Sequence, residues 1–395
     1  MVYILKNGEK ELRKCKYGRE KEIKYFNFEF REIRRFVCPR DAVIDGYCIF
    51  HHQNYWREHE GEVREAFMNL LERGETKFIG FNLPDIDLSK RTFPKNIYFT
   101  HTKFHGKTNF NKARFQGTAD FSNAQFTEGT YFVNAKFHEM PHFLNTSFLK
   151  TADFSEAEFV KGADFTRAVF EKDAHFPKSR FWSITLFSDA IFLGRTSFSE
   201  ALFEKKTDFS KAIFTKIVHF SNVIFKEEVY FRKTIFWGLA NFSRTTFSEV
   251  DFYKAIFSGD VDFTGAIFEG VAYFGEVLFL GSVRFDGVRF LGYVSFKDAD
   301  FSPDFLANCL DPYKMISFRR VSFEVQKNVI FDGTDMRRVS FIHVDLERVR
   351  FRNIEWKGYY DGKLLILKNS WRAVSYTHLR AHETSLHLVC RLLLE

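Results

Sequence analysis

Phenylalanine recurs along this chain at a spacing that few folds can accommodate. From Phe99 to Phe301 the steps alternate five and six residues, as in Phe154, Phe159, Phe165, Phe170, Phe176 and Phe181. Two residues ahead of nearly every one stands Ala, Thr, Ser or Val. An internal repeat of this kind overrides ordinary domain reasoning. An eleven-residue period suits a right-handed coiled coil at about 3.67 residues per turn. Steps of five and six, however, set successive rings about 130° or more apart on an α-helix, so no single seam forms. Composition points the same way: Phe, Thr, Val and Ile alternate with Gly, Ser, Asp and Asn, which suit short strands broken by turns.

In an extended segment residues i and i−2 share a face, so Ala152 points with Phe154 and Thr207 with Phe209, while Asp153 and Asp208 point away. Each unit is then one short side of a coil. A small residue, a polar one, Phe and two further polar residues is a pattern that resembles the pentapeptide-repeat family. The resemblance covers roughly Leu83 to Trp356. It implies an all-β solenoid, a right-handed quadrilateral β-helix with four units per turn and Phe and Ala along the axis. The extra residue in alternate units, as in Val160-Lys161-Gly162, lengthens a turn to about 22 residues and predicts a bulged corner. Phe154, Phe165, Phe209 and Phe263 are expected in one buried column, and the short step from Phe247 to Phe252 is expected to delete a corner residue without changing faces.

Around this block the chain divides into six stretches. Residues 1–53 form a segment rich in Cys and His, and 54–82 a capping helix with its lead-in. The Phe-rich coils occupy 83–301, interrupted repeats and a final coil 302–356, and a truncated continuation 357–373. Asn54 to Arg73 is expected to be one helix, with Trp56, Val63, Phe67, Leu70 and Leu71 on one face and Gly74 as its stop. Such a helix would cover the unpaired edge and open core of the first coil. The tail, 374–395, resembles the translated reading frame of a sequencing-library adapter, which would place the end of the genuine sequence near Arg372.

Three of the five cysteines, Cys15, Cys38 and Cys48, fall in the first stretch with His51 and His52. That stretch is too poor in apolar periodicity to build its own core. A zinc ion held by Cys15, Cys38, Cys48 and His51 would supply the missing stability, with Cys48-x-x-His51 as good ligand spacing. Four protein ligands leave no position open for a substrate, so the site would be structural. The Cys48-Ile-Phe-His51 element also resembles the amino-terminal segment of some prokaryotic members of the family. The alternative is three buried reduced cysteines beside a surface pair, His51 and His52.

No motif for phosphate binding, nucleophilic catalysis or metalloprotease chemistry is present. Asp153, Asp164, Asp208 and Asp262 sit at outward positions on different coils and read as a solvated face, and His175 and His219 stand on separate coils. The chain is therefore expected to be a non-catalytic scaffold or protein-interaction module rather than an enzyme. The formal charge is +7, but acidic and basic residues are interspersed along the repeats. That disfavours nucleic-acid binding and the acidic DNA mimicry that the resemblance would otherwise allow for a topoisomerase regulator. Phe351-Arg-Asn-Ile-Glu-Trp356 is similar to the end of the repeat block in members that continue into helices and membrane spans, so the alternative is the sensor domain of a larger membrane-associated protein. With no leader and no apolar run of about 18 residues, a cytoplasmic location is expected.

One outward row is apolar. Val169, Ile191, Ile213, Ile235, Ile256 and Leu278 each immediately precede a Phe on successive turns. Such a stripe is expected to meet a protein partner or a second copy. The opposite side carries a weaker version in Leu202, Ile224 and Ile267.

Overall fold

The computed structural model describes residues 5–6, 9–10, 14–27, 31–301, 316–323, 329–334, 339–342, 344 and 349–354. Much of the stretch 302–356 read as interrupted repeats and a final coil, Trp356 included, and the tail 374–395 lie outside them. Two compact units are distinguished, one of residues 1–175 with 181–183, the other of 176–180 with 184 onward.

Both units are all-β solenoids. In the second, Thr185–Leu186, Ile191–Phe192, Thr196–Ser197 and Leu202–Phe203 form the four sides of one turn. The next turn lies on it in parallel register, Thr207 on Thr185, Ile213 on Ile191, Val218 on Thr196 and Ile224 on Leu202. The first unit repeats the scheme, with Thr130 on Thr108, Lys136 on Arg114 and Gln125 on Lys103.

The strands are two residues long because each side has room only for one outward residue between an inward small residue and an inward Phe. The rings do not form the single column expected from the sequence. Each side contributes one ring per turn, so the interior holds four parallel stacks. Phe187, Phe209, Phe231 and Phe252 follow one another at 4.8, 5.0 and 5.0 Å. Phe198, Phe220, Phe242 and Phe263 do so at 5.0, 5.0 and 5.1 Å. Phe192 with Phe214, and Phe203 with Phe225, belong to the other two. Neighbouring stacks meet edge to face, as Phe209 and Phe220 do at 83° and Phe154 and Phe165 at 87°. Each ring thus satisfies both favourable aromatic geometries at once. Where Thr replaces Ala at the small position its hydroxyl can bond to the coil behind it: Thr234 Oγ1 donates to the Phe209 carbonyl at 2.7 Å and Thr245 Oγ1 to that of Phe220 at 2.6 Å, whereas Thr196 Oγ1 is buried without a partner.

The five-residue steps turn through a left-handed residue, most often not glycine. Glu156, Lys211, Asn222 and Lys233 have φ of 57°, 60°, 56° and 57°. Each such position costs free energy for an L-residue, and a hydrogen bond to the next coil offsets it, as Lys211 N–H to the Arg232 carbonyl at 2.8 Å. The carboxylates of Asp153, Asp164, Asp208 and Asp262 support the same corners. They accept the N–H of Ser155, Thr166, Ser210 and Thr264 at 2.9, 2.9, 2.8 and 2.8 Å. These four are half-buried turn caps, not a freely solvated face. At the short step the corner straightens into longer strands, Ile224–Tyr230 and Thr246–Asp251, with a register shift after Phe225. Val250 and Phe252 stay buried, so the faces are kept.

The expected single helix is two: α1, Tyr55–Glu58, and α2, Glu60–Glu72. His59 breaks it. Its ring stacks on Tyr55 at 4.0 Å and its Nδ1 donates to the Tyr55 carbonyl at 3.1 Å, taking the acceptor that a continuous helix would have used. α2 buries Val63 and Phe67, and Phe67 packs on Phe78 at 4.9 Å and on Phe99 at 6.5 Å. It thus covers the first rings of the stacks. Among the described residues no helix is long and apolar enough to cross a membrane.

Phe209→Ala is expected to cost about 3–5 kcal/mol in urea unfolding, from lost burial and the gap left between Phe187 and Phe231. Asp208→Ala removes only one corner bond and should cost about 1 kcal/mol. A loss below about 1 kcal/mol for the phenylalanine would be incompatible with a packed axis.

Candidate metal centre

Three local structures bring distant side chains to one point in the first unit. An antiparallel hairpin, Ile23–Asn27 with Glu32–Phe36, folds the chain back so that Cys38 returns beside Cys15. The Cys15 N–H donates to the Arg40 carbonyl at 2.9 Å, and the Cys38 N–H to the Tyr17 carbonyl at 3.1 Å. A second, two-residue hairpin joins Ile44 to Tyr47 through Asp45 and Gly46, both left-handed, and delivers Cys48. Paired positive φ is what such a turn demands, and Asp-Gly supplies it. The chain then tightens so that His51 N–H donates to the Cys48 carbonyl at 3.0 Å. The long gap from Cys15 to Cys38 is therefore the length of one hairpin.

All four side chains named from the sequence converge. Cys15, Cys38, Cys48 and His51 are buried, and their ligating atoms lie within 4.8 Å of one another. Cys48 Sγ is 3.2 Å from His51 Nδ1, Cys15 Sγ is 3.6 Å from the same atom, and Cys38 Sγ is 3.9 Å from Cys48 Sγ. A tetrahedral site with sulfur bonds of about 2.3 Å has edges of roughly 3.8 Å, so the group could hold a metal ion with little rearrangement. The orientation of the imidazole is fixed from behind. Nε2–H donates to the Ile79 carbonyl at 2.9 Å, leaving Nδ1 turned to the sulfurs. Tyr17 stacks on the imidazole at 4.0 Å and 8°. The Tyr17 hydroxyl packs against Gly80, where φ is +70° and an added Cβ would lie 1.9 Å from that oxygen. Only glycine fits there.

The charges explain why a cation suits the site. Hydrogen bonds from Cys38 and Cys48 hold the Cys15 thiol well below its usual range, against burial. Its bond to Cys15, then that to Cys38 and burial, push Cys48 far above the range. Burial opposes charge on His51, but hydrogen bonds to Cys15 and Cys38 push it up to about 9. Burial, then the Cys38 and Cys15 charges, push Tyr17 up to about 12. A divalent ion would displace thiol protons and stabilise the ionised sulfurs.

The loop is also joined to the first coil. On the side beginning Asn82–Leu83, the first N–H of each strand donates to a carbonyl one turn back, as Lys103 does to Phe81 at 2.7 Å. Asn82 has no earlier coil, and its N–H donates instead to the Phe50 carbonyl, also at 2.7 Å. The Phe50 ring stacks on Phe81 at 4.3 Å and 8°, as coil rings do on one another. Phe50 therefore stands in for a coil residue. Tyr17, Ile79 and this role of Phe50 carry no signature in the sequence. Asp45-Gly46 was the available signal for the second hairpin.

The six residues of the apolar row lie where expected, each half-buried. Val169 belongs to the first unit and stacks on Ser147. Ile191, Ile213, Ile235, Ile256 and Leu278 form an in-register parallel ladder in the second.

The sequence matches the family model described as Pentapeptide repeats (9 copies) over residues 99–140, 187–235, 209–256, 220–267 and 263–305. No curated protein matches it. The match covers coils and leaves the Cys/His segment outside.

Cys48→Ser is expected to abolish stoichiometric metal binding, because it opens one of four positions, whereas His52→Ala should leave it intact. His52 lies on the outside of the loop, 3.4 Å from Asp45. Metal analysis of the two purified variants distinguishes them, and equal metal content in both would show that the buried cluster is not the binding site.

Proposed function

The chain belongs to the pentapeptide-repeat family through residues 99–140 and 187–305, and from that premise we propose that it is a non-catalytic scaffold whose coils are closed at the amino-terminal end by a structural zinc ion and present their flat sides to protein partners. The observation that carries this is the joint between metal loop and coil. Three thiolates and an imidazole suit Zn²⁺, and with all four positions taken by protein no site remains for a substrate. The same loop supplies the Asn82 N–H with its acceptor through Phe50, and the ligand His51 is bonded directly to Ile79. Zinc binding is then folding energy for the first coil. A solenoid needs such a terminal cover, because its coils are stabilised by contact with their neighbours. The axis is filled by phenylalanine, so the function of the coils lies on their outer sides.

Protein purified without chelator is expected to contain one zinc per chain. Removing it should speed amide exchange at Asn82, whose N–H is bonded to the metal loop, and at Phe78 and Gly80, which flank the His51-bonded Ile79, and leave residues 184–301 protected. Absence of zinc would overturn the assignment of the metal. Zinc release with unchanged exchange at those three amides would overturn its structural role.

A further inference from the structure

The Ile191 ladder differs from the other outer sides of the second unit in its borders as well as its core. On the corner two residues ahead of the ladder stand Lys211 and Lys233, both exposed and on adjacent coils. Three other exposed lysines of that unit reach a carboxylate one coil away: Lys178 to Glu200 at 3.9 Å, Lys226 to Glu204 at 2.8 Å and Lys254 to Glu276 at 3.3 Å. Lys211 and Lys233 have no such pair among the described residues. The opposite border is uncharged in its first row, where Leu193 and Trp237 alternate with Thr215 and Ser258. Leu193 and Trp237 follow the ladder strands and are 41% and 58% exposed. Beyond them runs a column of glycines, Gly238, Gly259 and Gly281, so closely stacked that a Cβ on Gly259 would lie 2.5 Å from the Gly238 backbone. The result is an apolar strip with Lys211 and Lys233 along one edge and the glycine column, preceded by the exposed Lys216, along the other.

We propose that this strip docks an acidic amphipathic helix of a partner protein, its apolar row on the isoleucines and a row of carboxylates against Lys211 and Lys233. Three observations choose that occupant. The coil backbones already bond to one another along the ladder, so an extended segment laid across it would find no hydrogen-bond partners, whereas a helix brings its own satisfied. Five rungs span roughly 19 Å, the length of about 13 helical residues. A second copy fits poorly. At this border it would offer the two lysines only Asp189, since the acidic residues there are Asp189 and Glu276 at its ends, and Glu276 is held by Lys254 and Tyr253. A strip of roughly 200 Å² also falls short of the ~800 Å² per partner of a stable dimer.

This proposal rests on the scaffold role, whose own test reads zinc and amide exchange and is independent of peptide binding. The probe is a fluorescent 14-residue helical peptide with Leu on one face and Glu on its flanks, and the same peptide with Lys for Glu. The acidic peptide is expected to bind the full chain, weaken as salt rises, and lose at least tenfold in affinity to Lys211→Glu/Lys233→Glu. The basic peptide should gain affinity for that variant. Ile191→Thr/Ile213→Thr/Ile235→Thr should also lose tenfold, and the surface charge variant keeps the test decisive if the triple variant is unstable. Equal binding of both peptides, or of neither, overturns the proposal. So does a parent protein that sediments as a dimer and becomes monomeric in the threonine variant, because the strip would then belong to a second copy.

Discussion

Everything in the coils depends on backbone bonding between residues one turn apart. A two-residue strand has no stability of its own, and a short β pair is marginal in water even when longer. Here each side is held because its N–H and C=O groups pair with turns above and below, and that pairing fixes the vertical spacing at which phenylalanine rings can stack. The stacks at about 5 Å and the hydrogen bonds are two expressions of one repeat distance. Burial of a ring contributes on the order of 2–3 kcal/mol, but only where the backbone has set the next ring directly above. The left-handed corners make sense in the same terms, since their strain is tolerated at positions whose N–H is bonded to the neighbouring coil.

The coil scheme was legible because it is written many times. Alternate steps of five and six, with a small residue two ahead of each ring, define which side chains enter the axis and how many sides a turn has. What periodicity does not encode is how rings on different sides meet. Phe154 and Phe165 differ by eleven residues and share a sequence context, yet they occupy adjoining stacks, because position around the turn assigns a ring to its stack. The corner role of Asp208 was hidden for a related reason. An outward Asp looks the same in sequence whether it is solvated or accepts the N–H of Ser210.

The Cys/His cluster was legible in its composition and not in its support. Cys48 and His51 announce a ligand pair by spacing, whereas Cys15 is connected to Cys38 only through a hairpin of irregular sequence. The Ile79 carbonyl that orients His51 is a backbone group and leaves no residue signature. The break at His59 is similar: the apolar face of the helix runs through it, and the competing side-chain bond to Tyr55 is visible only in three dimensions. Local competition for a single acceptor overrode a pattern that was otherwise correct.

The substitution of Phe50 for a residue of a missing coil bears on how the chain is made. A template at the amino-terminal end emerges from the ribosome before any of the material it organises. At about 5–20 residues per second, each turn of 22 residues, the separation of Ile191 from Ile213, arrives over roughly one to four seconds. Each arrives onto an edge that is already in register. Growth of the solenoid can then be vectorial, one exposed edge at a time, so that the newest turn always has a single correct neighbour and the identical-looking turns behind it are no longer available to mispair.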